Sequence, residues 1–324
     1  MLQTARNVSV IPARRNMHRA AEDMAWGERA LGADSLCLDC FDPRDLPRAL
    51  DADVQVVHTH LPEPIDEMKS RVVWVAHGTP EHVFGMAVLK GTELGHGAPD
   101  SWMSAMYRLQ TSDAVVTFWP RHRDIWQSLM DKGRTVHLVP MGIDLDFWKP
   151  VPSRGKFAGT PSILTAENCH QVKWPLDLFI CFPWVADRVP SARLHAFYLP
   201  LDQNRWWFPL IDRNRAAYRS FVNPASLAHE DLRNAFVSSD FYVGLVRYGD
   251  HNRICLEARA CGCKVISYAG NPYADYWIPE GDQRVMAEKL ARILLGEEKP
   301  RDPEPAPSRL KMAAEMLALY EDLL

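Results

Sequence analysis

The residues best suited to do chemistry lie in the segment RYGDHNRICLEARACGCKVISY, residues 247–268. A strand-like run, 241–246, precedes it, and a loop then leads into a helical pattern that carries Glu257 and ends at Gly262. The first turn of a helix leaves backbone N–H groups unpaired, and the helix dipole favours negative charge there. The segment therefore predicts a diphosphate site, with Glu257 placed to accept the hydroxyls of a ribose.

Glu257 also has a simpler interpretation, an ion pair with Arg253 one turn earlier. Oppositely charged residues at i and i+4 are common in helices and stabilise them by only about 0.2–0.5 kcal/mol. From the sequence, both interpretations stay open.

A second candidate segment is TAENCHQVKWPLDLF, residues 165–179, where a strand ends and a polar loop follows. Lys173 stands before Trp174, and Pro175 is suited to the first position of a helix. We expect Lys173 to meet a phosphate; the alternative is an ordinary solvated lysine. Pro183 should kink or end the helix that follows.

Three histidines come directly after predicted strands. His58 and His60 follow 54–57, and His77 follows 72–75. His77 could donate to a sugar hydroxyl or to a phosphate. The three could also be read as metal ligands, but no carboxylate pattern nearby completes such a site, so we predict no metal.

The first predicted helix starts in the basic segment PARRNMHRA, which includes Arg14, Arg15 and His18. Positive charges at a helix start oppose the dipole, so an anionic acceptor is expected nearby. A solvated basic face is the alternative. Glycine-rich phosphate loops of the dinucleotide or Walker type are absent from the sequence.

Short β-branched runs alternate with longer segments of helical period, which predicts an α/β fold of doubly wound parallel sheets. The predicted strands are 8–11, 36–38, 54–57, 72–75, 114–117, 136–139, 163–166, 194–198, 241–246 and 265–268. Residues 199–235 have no clear pattern. Four prolines in 300–307 predict a connector without regular structure, and Ser308 should cap a last helix whose apolar face is Leu310, Ala313, Leu317, Tyr320 and Leu324. We therefore expect an N-terminal Rossmann-like domain at 1–150, a second at 151–300, and a linker with a closing helix at 301–324.

Composition excludes several classes of protein. The chain has 324 residues, with 37 Lys plus Arg against 41 Asp plus Glu, so no global positive charge draws it to nucleic acid. The N-terminal sequence lacks the apolar core of a secretory signal, and no run reaches the 18 or so apolar residues of a membrane span. A cytoplasmic location is expected. Seven cysteines without export signals indicate reduced thiols.

In order and spacing, these segments resemble the family-4 retaining glycosyltransferases over most of the chain. The family's typical phrases are matched by DVQVVHTH, VVWVAH, DAVVTFWP, VHLVPMGIDLDFWKP, LTAENCHQVKWPLDLF, ARLHAFYLP, CLEARACGCKVIS and LYEDLL. The resemblance implies the GT-B architecture, in which two doubly wound Rossmann-like domains face a central cleft and a C-terminal helix returns to the first domain.

The resemblance also assigns residues. Glu257 matches the family glutamate that binds the nucleotide ribose, and Lys173 matches the phosphate-binding lysine. The first family glutamate would fall at Gly249, with Asp250 adjacent, and Asn168 replaces a frequent arginine. Arg247 or Arg253 would then restore the positive charge. The full expectation is His77, Lys173 and Arg253 as catalytic residues, Arg14, Arg15 and His18 on the acceptor side, and Glu257, Asn168, Arg247, Gly249, Asp250, His251 and Asn252 around the donor.

The expected activity is transfer of a hexosyl or pentosyl group from a nucleotide-sugar co-substrate to an unidentified acceptor, with retention of configuration and without metal or other cofactor. Two alternatives stay open. The acceptor could be a modified base in phage-type DNA, which would suit the basic first turn. The chain could also be an inactive nucleotide-binding module, as the change at Gly249 suggests. An epimerase or metal hydrolase would need carboxylate catalysts that the sequence lacks.

Overall fold

The computed structural model describes residues 7–11, 18–39, 44, 47–48, 51–58, 70–80, 98–166, 176–197, 228–246 and 253–324. For 7–11, 18, 39, 98–104 and 176 the description is limited to the backbone. The chain forms two compact units. Unit 1 comprises Met1–Asp144 together with Pro307–Leu324, and unit 2 comprises Leu145–Ala306.

Unit 1 is built on a six-stranded parallel sheet in the order β2-β1-β3-β4-β5-β6. Its central strands are buried, as expected for a parallel sheet covered by helices. The strands are β1 (Asn7–Ile11), β2 (Ser35–Asp39), β3 (Val54–Val57), β4 (Arg71–Ala76), β5 (Ala114–Thr117) and β6 (Val136–Leu138). The helices are α1 (His18–Ala30), α2 (Ala98–Thr111), α3 (Pro120–Ser128) and α8 (Arg309–Leu323).

Unit 2 has a five-stranded parallel sheet in the order β11-β10-β9-β7-β8. The strands are β7 (Ser162–Thr165), β8 (Arg193–Ala196), β9 (Phe241–Gly244), β10 (Lys264–Tyr268) and β11 (Tyr276–Ile278). The helices are α4 (Leu176–Arg188), α5 (His229–Ser238), α6 (Arg253–Ala260) and α7 (Gln283–Leu294). One apolar core lies between this sheet and helices α4 and α7.

The predicted α/β fold with two parallel sheets is confirmed, and each predicted strand is found within two residues of its observed bounds. Strand β11 was missed because three residues are too few to show an alternating pattern. No element was predicted for residues 199–235. The described residues of this range, 228–235, include the start of helix α5 at His229.

Helix α4 is not ended by Pro183, which was one of the two effects expected of that proline. The helix continues through Pro183 to Arg188. Proline removes one backbone hydrogen bond, but Leu178, Phe179 and Phe182 on the same helix are fully buried in the core of unit 2. This burial holds the helix together across the proline, because apolar contact stabilises each side chain by about 1.5–3 kcal/mol.

The closing helix α8 packs on α1 within unit 1, as the fold prediction expected. Ser308 caps it by accepting a hydrogen bond from the backbone N–H of Lys311 at 3.1 Å. The Tyr320 hydroxyl donates to buried Glu28 at 2.9 Å. The predicted apolar face was partly wrong, since Leu310 and Leu324 are exposed. The buried face is instead Met312, Ala313, Met316, Leu319 and Tyr320.

The described cysteines are free thiols, in keeping with the expectation of reduced cysteine. Burial raises the pKa of Cys181 to about 12, and the nearby Asp177 carboxylate adds to this shift. Burial also raises the pKa of Cys263 far above its usual range. A thiol that stays protonated is a poor nucleophile, so these cysteines act as small apolar core residues.

Candidate functional site

Helix α6 connects the adjacent parallel strands β9 and β10. It lies within residues 247–268, the segment that was predicted from the sequence to bind a diphosphate and a ribose. Its C-terminal end is closed by Gly262, which adopts φ +83°. The Gly262 N–H donates to the Arg259 carbonyl at 2.8 Å, and the Cys263 N–H donates to the Ala258 carbonyl at 3.1 Å. These two bonds form a Schellman cap, which only a residue tolerant of positive φ completes without strain. The predicted helix stop at Gly262 is confirmed.

Glu257 is buried in the middle of α6, with none of its surface exposed. The Arg253 Nε donates to Glu257 Oε1 at 2.8 Å, so the i to i+4 ion pair foreseen as the simpler interpretation does form. Unlike a surface pair, it is almost dry, because the Arg253 side chain is only 15 % exposed. Removing one partner of such a pair leaves an uncompensated buried charge, which costs about 3–5 kcal/mol.

Glu257 also affects its neighbour Cys261. Burial raises the pKa of the Cys261 thiol to about 12, and the negative charge of Glu257 contributes to the rise. Both side chains are buried, so their surroundings are of low polarity. Helix α6 begins at Arg253, after the carboxyl end of β9, and this is the edge of a doubly wound sheet where ligands bind.

The start of helix α4, which follows the Lys173 segment in the chain, is fixed by a buried polar cluster. Asp177 in its first turn is 2 % exposed and accepts hydrogen bonds from the Tyr268 hydroxyl at 2.5 Å and from Gln283 Nε2 at 3.2 Å. Tyr268 is the last residue of β10, so the cluster ties α4 to the carboxyl end of the sheet. None of these three residues was predicted as part of a site. The one available signal was Asp177, an aspartate in the first turn of a helix, two residues after Pro175.

In unit 1, His58 and His77 meet at the carboxyl ends of the neighbouring strands β3 and β4. His58 Nδ1 lies 3.0 Å from His77 Nε2, and the two ring centroids are 5.2 Å apart. His58 is buried, whereas His77 is partly exposed and packs against the Phe118 ring at 5.3 Å. Within the described part of the chain, no three metal-binding side chains converge.

The buried His58 predicts a pH dependence of stability. Burial lowers its pKa well below the ordinary 6.5, and the proximity of His77 lowers it further. Below pH 6.5 the unfolded chain therefore binds a proton at this residue that the folded chain does not, so stability falls as the pH drops from 6.5 through the lowered pKa. We expect urea unfolding between pH 5 and 8 to show a shallower pH dependence for His58→Asn than for the wild type.

The same experiment contains an internal comparison. Burial also lowers the pKa of His137, partly offset by Asp322, and this contribution remains in both proteins. Only the difference between the two pH profiles reports on His58. Superimposable profiles would show that His58 does not resist protonation in the folded chain.

Several predicted site residues fall outside the described residues, and their placement stays a prediction. On the donor and catalytic side these are Lys173, Asn168, Arg247, Gly249, Asp250, His251 and Asn252; on the acceptor side they are Arg14 and Arg15. His60 also lies outside the described residues. His18 is the first residue of α1, where the backbone alone is described.

No described helix suits a membrane span. The longest of them, α8, has 15 residues, fewer than the 18 or so that cross a bilayer, and the others are shorter.

Known proteins resemble this chain in their fold rather than in their sequence. No protein-family model matches the chain, and no curated protein is significantly similar. Solved structures do match along its whole length. Sucrose-phosphate synthase from Thermosynechococcus elongatus has a TM-score of 0.69 at 16 % identity, covering 99 % of both chains. HepE from Anabaena, solved with UDP-glucose, has a TM-score of 0.66 at 9 % identity, covering 98 % of this chain and 99 % of HepE.

A third match is WaaG, a glycosyltransferase involved in lipopolysaccharide biosynthesis. Its TM-score is 0.64 at 12 % identity, covering 98 % of this chain and 95 % of WaaG. These structures share two parallel α/β sheets with this chain at identities too low to carry activity across. The chain has the GT-B fold that its sequence predicted.

Proposed function

We propose that this protein is a glycosyltransferase that moves a sugar from a nucleotide-sugar donor to an acceptor, with retention of configuration and without metal. The fold alone does not set the reaction, because one fold can host many functions. The proposal rests on Glu257 and Arg253 of helix α6 and on the predicted phosphate role of Lys173.

The observation that carries the proposal is the position of Glu257. It lies on the crossover helix between the neighbouring strands β9 and β10, inside a GT-B chain, where the family resemblance puts its ribose-binding glutamate. Burial and the Arg253 bond hold its carboxylate in one orientation. A carboxylate held rigidly in a dry site can accept two vicinal hydroxyls without further ordering cost.

The chemistry that follows is leaving-group stabilisation. As the bond between the sugar and the diphosphate breaks, negative charge grows on the diphosphate, and positive groups placed in advance lower the barrier. We assign this role to Lys173 and to backbone N–H groups at the start of α6. Arg253 is engaged by Glu257 and acts mainly by fixing that carboxylate. We assign His77 to contact with the donor sugar.

A thermal-shift screen tests donor binding. The panel should contain UDP, UDP-glucose and the other common nucleoside diphosphates and their sugars, since HepE was solved with UDP-glucose. A ligand that binds only the folded state at a hundredfold excess over its Kd adds about 2.7 kcal/mol of stability. We expect at least one nucleoside diphosphate to raise the Tm of the wild type and to do so less in Glu257→Gln. If no member of the panel shifts the Tm, the proposal is wrong.

A second candidate is a nucleotide-binding module without transferase activity. It is favoured by the dry Arg253–Glu257 pair, which could serve helix stability alone, and by the glycine at position 249. The two candidates separate in one assay. A transferase slowly releases free sugar from its bound donor even when water is the only acceptor, whereas a binding module shows the Tm shift without any release.

A further inference from the structure

We infer that His58 is a positioning residue for His77, and that it holds the His77 ring in the tautomer whose proton is on Nδ1. The inference rests on the proposed function in one respect only, the assignment of His77 to the donor sugar. The arrangement of the two rings is independent of that assignment.

The backbone on both sides of His77 is fixed by unit 1. The Thr117 hydroxyl donates to the carbonyl of Ala76 at 3.3 Å, and the Trp126 indole N–H donates to the carbonyl of Gly78 at 2.8 Å. Thr117 and Trp126 are themselves fully buried. The backbone is held and Phe118 lies against one side of the ring, and the direction of the hydrogen bond with His58 then sets whether Nε2 of His77 carries a proton.

The direction of that hydrogen bond follows from the burial of His58. A neutral imidazole has one N–H donor and one acceptor nitrogen. His58 Nε2 is buried and has no hydrogen-bond partner among the described residues. A buried N–H without an acceptor is costlier and rarer than a buried acceptor without a donor.

The proton of His58 therefore belongs on Nδ1, where it is donated to His77 Nε2 across 3.0 Å. His77 Nε2 must then be an acceptor, and the proton of neutral His77 must be on Nδ1. A reversed bond would leave a proton on the buried His58 Nε2, for which the described residues provide no acceptor.

This arrangement restricts what His77 can recognise. Its Nε2 accepts from His58, so a ligand oxygen that met a ring nitrogen of His77 would have to accept from Nδ1–H. Such a group selects an oxygen that accepts a hydrogen bond, such as a sugar hydroxyl oxygen or a phosphate oxygen. It rejects a ligand group that can only donate.

Imidazole ¹⁵N NMR on the full-length protein tests the tautomer directly. Protonated and unprotonated ring nitrogens resonate far apart, and the His77 signals are identified by their loss in His77→Asn. We expect His77 to show a protonated Nδ1 and an unprotonated Nε2 in the wild type. A protonated His77 Nε2 in the wild type overturns the inference without any mutation at His58.

Two substitutions of His58 separate positioning from packing. In His58→Asn the side-chain amide keeps an N–H donor close to the position of Nδ1, whereas His58→Leu fills the site without a donor. We expect the Asn variant to retain the His77 tautomer and the Leu variant to show a mixture of tautomers. If sugar release is detected, kcat should fall roughly 10- to 100-fold in His58→Leu and less than about 3-fold in His58→Asn, since orientation of a contacting group commonly has effects of this size.

The outcomes distinguish the two proposals. A protein without transferase activity but with the expected NMR pattern keeps the His58 inference and rejects the proposed function. Equal His77 spectra in the wild type and the Leu variant reject the inference, whatever the activity. If His58→Leu does not fold, the wild-type spectrum and the Asn variant still decide the question.

Discussion

Replacing Glu257 with glutamine should lower kcat/KM for donor turnover by about 30- to 1,000-fold, which corresponds to roughly 2–4 kcal/mol of lost transition-state stabilisation. The amide keeps the size of the side chain and can still accept from Arg253 Nε, but it no longer balances the charge of Arg253, so the Tm of the variant has to be measured beside its activity. What is lost is the charge and one of two acceptor oxygens for the ribose. Steady-state kinetics and donor affinity on the purified variant measure the effect.

The buried ion pair makes the controls necessary. Glu257→Ala would remove the acceptor of the Arg253 hydrogen bond and the buried side-chain volume as well as the charge, so its activity loss would mix unfolding with lost binding more than that of Glu257→Gln. Glu321→Gln, a matched change at an exposed position of α8, should leave both Tm and activity unchanged. If Glu257→Gln binds the donor as tightly as the wild type, the donor site does not include α6. The Arg253–Glu257 pair would then serve only to stabilise the helix.

The same assay applies to Lys173, the predicted phosphate-binding residue. Lys173→Ala should lose a similar factor, because the developing diphosphate charge would lack a cation. Lys156→Ala, at an exposed lysine of the same unit, is its matched control. Equal activity in these two lysine variants would contradict the phosphate role of Lys173.

Alanine at two glycines of unit 1 should weaken the docking of helix α8. A Cβ at Gly27 would lie 2.5 Å from the Arg309 carbonyl oxygen and 2.7 Å from Ala313 Cβ. At Gly142 it would lie 2.5 Å from the Ser308 carbonyl oxygen and 2.7 Å from Arg309 Cα. Backbone atoms cannot move aside without distorting the fold, so each change should lower the free energy of unfolding by about 1–3 kcal/mol. Thermal unfolding should show a Tm lowered by about 2–12 °C for each variant.

A control on the same helix isolates the steric effect. Glu22→Ala places alanine at an exposed position of α1, where helix propensity is the main change, and should shift Tm by very little. Intrinsic propensity alone would make Gly27→Ala stabilising, by about 1 kcal/mol. A raised Tm for Gly27→Ala would therefore mean that α8 does not approach α1 as closely as the structure shows.

The sequence was most informative where local patterns decide the structure. Runs such as Val54–Val57 and Ala114–Thr117 are rich in β-branched residues and each follows an aspartate, and both were predicted with their observed bounds. The helix signals at Gly262 and Ser308 were equally local, since one supplies a positive φ and the other a capping oxygen. These features need no knowledge of distant contacts.

Contacts between distant parts of the chain could not be predicted in this way. The buried face of α8 was misplaced because the choice between Leu310 and Met312 depends on where α1 lies. Helix α4 passes Pro183 because burial outweighs a lost hydrogen bond. The Asp177–Tyr268–Gln283 cluster and the His58–His77 contact join residues on separate elements, and no local pattern specifies such meetings.

The contact between Tyr320 and Glu28 joins residues 292 positions apart, and it bears on how the protein folds during its synthesis. Residues 145–306 are continuous, so they can complete their sheet soon after leaving the ribosome. The N-terminal sheet emerges first but must wait for residues 307–324 before α1 is covered. Until residues 307–324 have emerged, the apolar side of α1 is open to water, and a nascent chain in this condition is a natural client for chaperones.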